Sequence, residues 1–234
     1  MRPRGWGLAW LAPAVRSGYA VGGLLLFVLA LELLKRGATG IEPILSAVSA
    51  DGALNLLGFG WAGAYAVMSG SPVAAIALSL FAADTISDVE AFAMINGSRL
   101  GASFIVLLIG FVLYVTHRRT ADGLYIGVVA MLTAFTLWLP VLPIGILALR
   151  SGWFDGVQLS TPGAVTSFVD VAYNPVVNLA ADHLHSLLVF VLGVGLLLAS
   201  FAVFDRALPN LEQPSLRVER IKELVHHPLA MFLL

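Results

Sequence analysis

The sequence predicts an all-α polytopic membrane protein with broken, re-entrant helices. Three observations carry that prediction. Of 234 residues only 12% are charged while 59% are hydrophobic, with a mean hydropathy of +0.92; soluble domains carry about 25% charged residues. Several apolar stretches approach the roughly 20 residues that a helix needs to cross a bilayer core. Two of these stretches are interrupted, one by Ser69-Gly70-Ser71-Pro72 and one by Asn96-Gly97-Ser98-Arg99. The formal net charge of −1 offers no basic surface for nucleic acid, and the lack of cysteine excludes disulfides, thiol chemistry and cysteine-held metals.

Residues 1–17 read as a basic N-terminal segment with Arg2, Arg4 and Arg16. No short apolar core followed by a small-residue cleavage site appears there. The apolar run 18–34, closed by Lys35-Arg36, therefore reads as a retained helix rather than a cleaved signal peptide. Residues 39–55 mix Glu42 and Asp51 with Ile41, Ile44, Leu45 and Val48, which suits an amphipathic helix at the interface. Residues 56–83 are apolar but broken at 69–72. A polar link, 84–90, leads into 91–115, which is broken near 96–101 and closed by His117-Arg118-Arg119. Residues 124–149 form the next span, where Pro140 and Pro143 predict a kink. Residues 151–175 read as a loop with an amphipathic stretch, Asp170, Tyr173 and Asn174 capping or turning it before Pro175. Residues 184–204 form the last span, so that the membrane unit covers 18–205 and 206–234 is a cytoplasmic linker.

Orientation follows from the basic residues of the short loops. If 56–83 is a hairpin that returns to the side it entered, Arg2, Arg4, Arg16, Arg118, Arg119, Arg206, Arg217, Arg220 and Lys222 share one side. Lys35, Arg36 and Arg150 then fall on the other, nine against three. If 56–83 crosses instead, Arg118, Arg119 and everything after them change sides, and the balance becomes four against eight. The hairpin with a cytoplasmic N-terminus is the better reading.

The breaks are where chemistry is expected. In hydrocarbon an unsatisfied backbone group costs several kcal/mol, so irregular backbone survives only against protein or a water-filled cavity. A helix that starts at Pro72 presents unpaired N–H groups and a positive dipole end, which suits an anion. Ser69 and Ser71 add donors, and freed carbonyls beside them suit a small cation such as sodium. At the second break Asn96, Ser98 and Ser103 supply polar tips, and Gly97 and Gly101 permit unwinding. Arg99 is expected to face a bundle interior with a carboxylate or an oxyanion as partner. The same residues have plainer uses. Ser-Gly-Ser serves as a packing notch, Gly97 and Gly101 have small-xxx-small spacing, and Arg99 can pair with Asp84, Asp88 or Glu90. Asp182, His183 and His185 do not form a ligand set, because residues two apart leave a helix on different faces. No nucleophile–base pair or phosphate loop is visible, so no enzyme is expected.

At these residues the chain resembles the sodium/phosphate cotransporter family (type II and its bacterial and archaeal relatives). That family carries Gln-Ser-Ser-Ser followed by Ala-Thr-Thr, an Ile-Ser…Gln-Ala link, and Gly-Ala-Asn-Ile-Gly-Thr-Thr. Here the three elements read Met68-Ser69-Gly70-Ser71-Pro72-Val73-Ala74, Ile86-Ser87-Asp88-Val89-Glu90-Ala91 and Gly97-Ser98-Arg99-Leu100-Gly101-Ala102-Ser103. The departures are Met68 for Gln, Gly70 for the middle Ser, Arg99 for Asn, and Ala102-Ser103 for the paired Thr. The resemblance implies a secondary transporter of an inorganic oxyanion in the plasma membrane, a sodium-coupled phosphate symporter or a diverged relative. It assigns substrate binding to Ser69, Gly70, Ser71, Asn96, Ser98, Arg99, Gly101 and Ser103, with sodium as coupling ion and no other cofactor. With Arg99 beside the cation ligands, weak sodium dependence is expected. The resemblance also implies one half of an inverted-repeat transporter, completed by a second copy or by a second repeat that the linker leads into. The competing reading is a non-transporting membrane scaffold of the same fold.

Overall fold

A backbone surrounded by apolar side chains on all faces must satisfy its own hydrogen bonds, and a helix does so within one segment. The computed structural model describes residues 11–47, 52–116, 121–154, 156 and 163–207, and every element among them is helical. In chain order they are α1 (Leu11–Gly37), a 3₁₀ turn (Ala38–Gly40), α2 (Glu42–Ala47), α3 (Ala53–Val67), α4 (Gly70–Ala82), α5 (Asp88–Val115), α6 (Asp122–Arg150), α7 (Gly163–His183) and α8 (Ser186–Ala207). Four of them, α1, α5, α6 and α8, are long and apolar enough to cross a membrane. Among the described residues the chain is all-helical, with four helices of the length and apolar composition of membrane spans.

Glycines set the packing. α1 and α8 run antiparallel, with Gly23 against the Phe204 ring, Gly37 against the Phe190 backbone and Gly193 against Leu34. Phe27 and Phe201 meet edge to face across this pair, their centroids 6.0 Å apart. α5 and α6 are also antiparallel: Gly110 faces Gly123 and Leu124, Gly127 faces Leu107, and Gly145 faces Phe92. Lipid offers helices no hydrophobic reward for meeting, so close backbone approach of this kind supplies the attraction. α7 lies on α1 and α8, where Tyr173 and Val177 pack with Leu33 and Val189.

The pairing of α3 with α5 decides the path of the chain. The two helices start together, since the Gly52 N–H donates to Glu90 Oε1 at 3.0 Å. They then rise in parallel. Gly97 meets Leu57, Gly101 meets Trp61 and Ala64, and the rings of Tyr65 and Phe104 lie 5.8 Å apart. Residues 83–87 join the end of α4 to the start of α5, so α4 has returned to the end from which α3 set out. α3 and α4 thus form a helical hairpin. A Cβ on Gly70 would lie 2.6 Å from the Ser98 carbonyl oxygen and 3.2 Å from the Ala102 Cβ. The hairpin tip therefore abuts α5 some 10 to 14 residues past Asp88, near the middle of a 28-residue helix.

Three sequence expectations need correction. The second break, near 96–101, does not exist: α5 is continuous from Asp88 to Val115. Its polar side chains donate to their own helix: Asn96 Nδ2 to the Phe92 carbonyl (2.9 Å), Ser98 Oγ to Ile95 (2.7 Å) and Ser103 Oγ to Leu100 (2.7 Å). Second, residues 39–55 are not one interfacial helix but a 3₁₀ turn, the six-residue α2 and the start of α3. Third, the segment before Pro175 is not a cap or turn, because α7 continues through the proline. The carbonyl that Pro175 leaves without a donor belongs to Val171, which is exposed. α6 likewise continues through its prolines, Pro140 and Pro143. The expected His117-Arg118-Arg119 cap and the linker beyond 207 lie outside the described residues.

Candidate functional site

The hairpin turn is built by a tight backbone motif. Met68 stands just past α3 in the left-handed region, at φ 55° and ψ 24°. Its N–H donates to the Tyr65 carbonyl (3.3 Å), and the Ser69 N–H donates to that of Ala64 (3.1 Å). This crossed pair is the Schellman arrangement, which favours glycine at the left-handed position. Ser69 is extended (φ −160°, ψ 141°), and α4 restarts at Gly70. The interruption therefore falls at Met68–Ser69, and Pro72 is the third residue of α4, where the N–H it lacks has no helical partner in any case.

Two opposite dipole ends meet at this turn. The last carbonyls of α3, those of Ala66 and Val67, have no intrahelical donor, and the first amides of α4, those of Gly70 and Ser71, have no intrahelical acceptor. The Ser69 side chain does not cap α4, which leaves its hydroxyl available beside those amides. Gly70 is buried, Ser69 half-buried and Ser71 exposed. Chemically the turn can offer donors to an anion and carbonyl oxygens to a small cation within one short stretch.

The structure brings only part of the predicted set to this point. Ser69, Gly70 and Ser71 form the tip, and Ser98 meets it through its backbone carbonyl. Gly101 lies against Ala64 on α3, in a packing role, with a would-be Cβ 2.9 Å from the Ala64 Cβ. Asn96 is fully buried, and its Oδ1 has no hydrogen-bond partner. Arg99 stands seven residues from both Phe92 and Val106, residues whose stripe of α5 packs on α6, and Ser103 follows one turn later on that side. Arg99 is half-buried and makes no ion pair among the described residues, so the suggested pairing with Asp84, Asp88 or Glu90 does not form.

A polar cavity that sequence reasoning passed over lies elsewhere, where α1, α4 and α7 come together. It measures about 400 Å³ and is lined by Glu32, Lys35, Arg36, Thr39, Asn174 and Asn178. Glu32, an acid inside an apolar run, was the available signal. The approach of Asn174 and Asn178 is tertiary and left no trace in the spacing. Among the described residues no three His, Asp or Glu side chains gather to hold a metal; His183 Nδ1 instead lies 2.9 Å from the Leu179 carbonyl oxygen. No family model matches this chain, and neither a curated protein nor a solved structure matches it.

Proposed function

We propose that this chain is a secondary membrane transporter of an inorganic oxyanion, of the sodium/phosphate cotransporter type or a diverged relative. One observation carries the proposal: the α3–α4 hairpin, whose tip stops beside the middle of the long apolar helix α5. If α5 spans the bilayer, the hairpin is re-entrant and its tip lies near the midplane. There an exposed Ser71 and free helix ends are tenable only against water or protein. A second copy of the chain, or a second repeat, would supply the covering protein and complete an inverted-repeat transporter in the plasma membrane with a cytoplasmic N-terminus.

In this reading the anion is held by the Ser69 and Ser71 hydroxyls and the α4 amides, and sodium by the α3 carbonyls across the turn. Arg99, on the α6 side, contributes positive potential rather than a direct contact. Losing a hydrogen bond to a charged ligand costs about 1.5–3 kcal/mol, roughly ten- to a hundredfold in affinity. Labelled phosphate should therefore accumulate in proteoliposomes containing the protein, and the Ser69→Ala/Ser71→Ala double variant should need at least tenfold more phosphate for the same uptake. Unchanged uptake by that variant at matched reconstitution would remove the site.

A second reading has its own support. The hydroxyls and amide of α5 are turned back on their own helix, and Gly97 and Gly101 are spent on packing, as in a non-transporting scaffold. Absence of any anion uptake by well-folded protein, across phosphate, sulfate and arsenate, would favour it.

A further inference from the structure

Beside the polar cavity of α1, α4 and α7 runs an apolar groove of about 360 Å³ between α1 and α4, walled by Phe27, Leu31, Ala75, Leu78 and Ala82. Glu32 and Lys35 line both hollows, so groove and cavity adjoin at these two side chains. We propose that together they bind one anionic phospholipid, an acyl chain in the groove and the phosphate at Lys35, Arg36 and Thr39.

Depth and charge support this occupant. Phe27 and Lys35 are eight residues apart, about 12 Å along a helix, which approaches the ~15 Å thickness of one leaflet's hydrocarbon. Lys35 and Arg36 close the apolar span of α1, the level at which basic side chains reach phosphates. Both are exposed and available, and Thr39 adds a hydroxyl one turn further out. Glu32 sits one turn deeper, at the spacing where an acid steadies the following bases on the same helix face. The headgroup end of the two hollows keeps an excess of one positive charge from Lys35, Arg36 and Glu32. Asp182 lines a neighbouring hollow that shares Arg36 and Thr39, but it lines neither the cavity nor the groove. A zwitterionic lipid would fill the groove equally well but gain less at its mouth. This inference does not rest on the transport reading, because the groove lies along the body of α4 and not at the hairpin tip.

The test is native mass spectrometry of the purified full chain in detergent, titrated with phosphatidylglycerol or with phosphatidylcholine of identical acyl chains. A basic residue near a phosphate surface contributes about 1 kcal/mol, so with one positive charge in excess phosphatidylglycerol should bind roughly fivefold more tightly. Lys35→Gln/Arg36→Gln, two exposed positions, should abolish the preference while leaving phosphatidylcholine binding unchanged. Leu78→Trp, which fills the groove, should weaken both lipids. Equal binding of the two lipids by the unmodified protein would overturn the proposal, as would a preference that survives the double variant. Displacement of phosphatidylglycerol by millimolar inorganic phosphate would also overturn it, by making the cavity a site for free anion.

Discussion

Met68 is the residue on which the hairpin turns. A side chain in the left-handed region is held there at a cost of order 1–3 kcal/mol, and a β-branched residue tolerates it least. Met68→Val should destabilise the protein by about 1–2 kcal/mol more than Met68→Asn, read as the difference in denaturant unfolding in micelles; equal stabilities would mean that the turn relaxes freely. Gly97 makes a second demand. A Cβ there would overlap the Leu57 carbonyl oxygen, and backbone cannot step aside as a side chain can. Gly97→Ala should therefore destabilise by about 1–3 kcal/mol, whereas Gly58→Ala, with open space around it, should be neutral or stabilising. The sequence made the first break legible because Gly and Pro within three residues announce one. It could not show that the left-handed residue is Met68, two positions earlier. Arg99 was conspicuous as a charge in an apolar run, but the side of α5 it occupies depends on how α6 packs.

At the scale of elements, the capping of α5 ties two helix starts together, its own and that of α3. The Ser87 hydroxyl accepts from the Glu90 N–H (3.3 Å), and Glu90 Oε2 accepts from the Ser87 N–H (2.8 Å). Glu90 also accepts from Gly52, where α3 begins. Ser87→Ala should cost about 1 kcal/mol. Glu90→Ala should cost about 1 kcal/mol more, since it also orphans the Gly52 amide. Equal losses in equilibrium unfolding would mean that the Gly52 contact contributes nothing. The capping pattern was present in the sequence as Ser-x-x-Glu within the polar link, as was the apolar length of each span. The false second break shows the limit of such reading. Ser and Asn in an apolar helix suggest irregular backbone, yet in a low-dielectric setting they can equally bond the carbonyls three or four residues back, and composition alone does not choose between these outcomes. α7 was hidden for a related reason: Pro175 signals an end, but a proline whose orphaned carbonyl lies on an exposed residue need not stop a helix.

For the whole molecule, the central claim is that α3 and α4 enter and leave on one side of the bilayer, which sets the tip near the midplane and fixes the orientation of everything after it. The charge balance of the loops favours that path, and the parallel pairing of α3 with α5 requires that α4 come back before α5 begins. The chain contains no cysteine, so single cysteines can be read without background. Gly52→Cys, before α3, and Thr85→Cys, after α4, should be labelled by a membrane-impermeant maleimide from the same side of sealed vesicles, with Arg150→Cys also on that side. Labelling of the cysteines at 52 and 85 from opposite sides would contradict the hairpin, and with it the site at its tip.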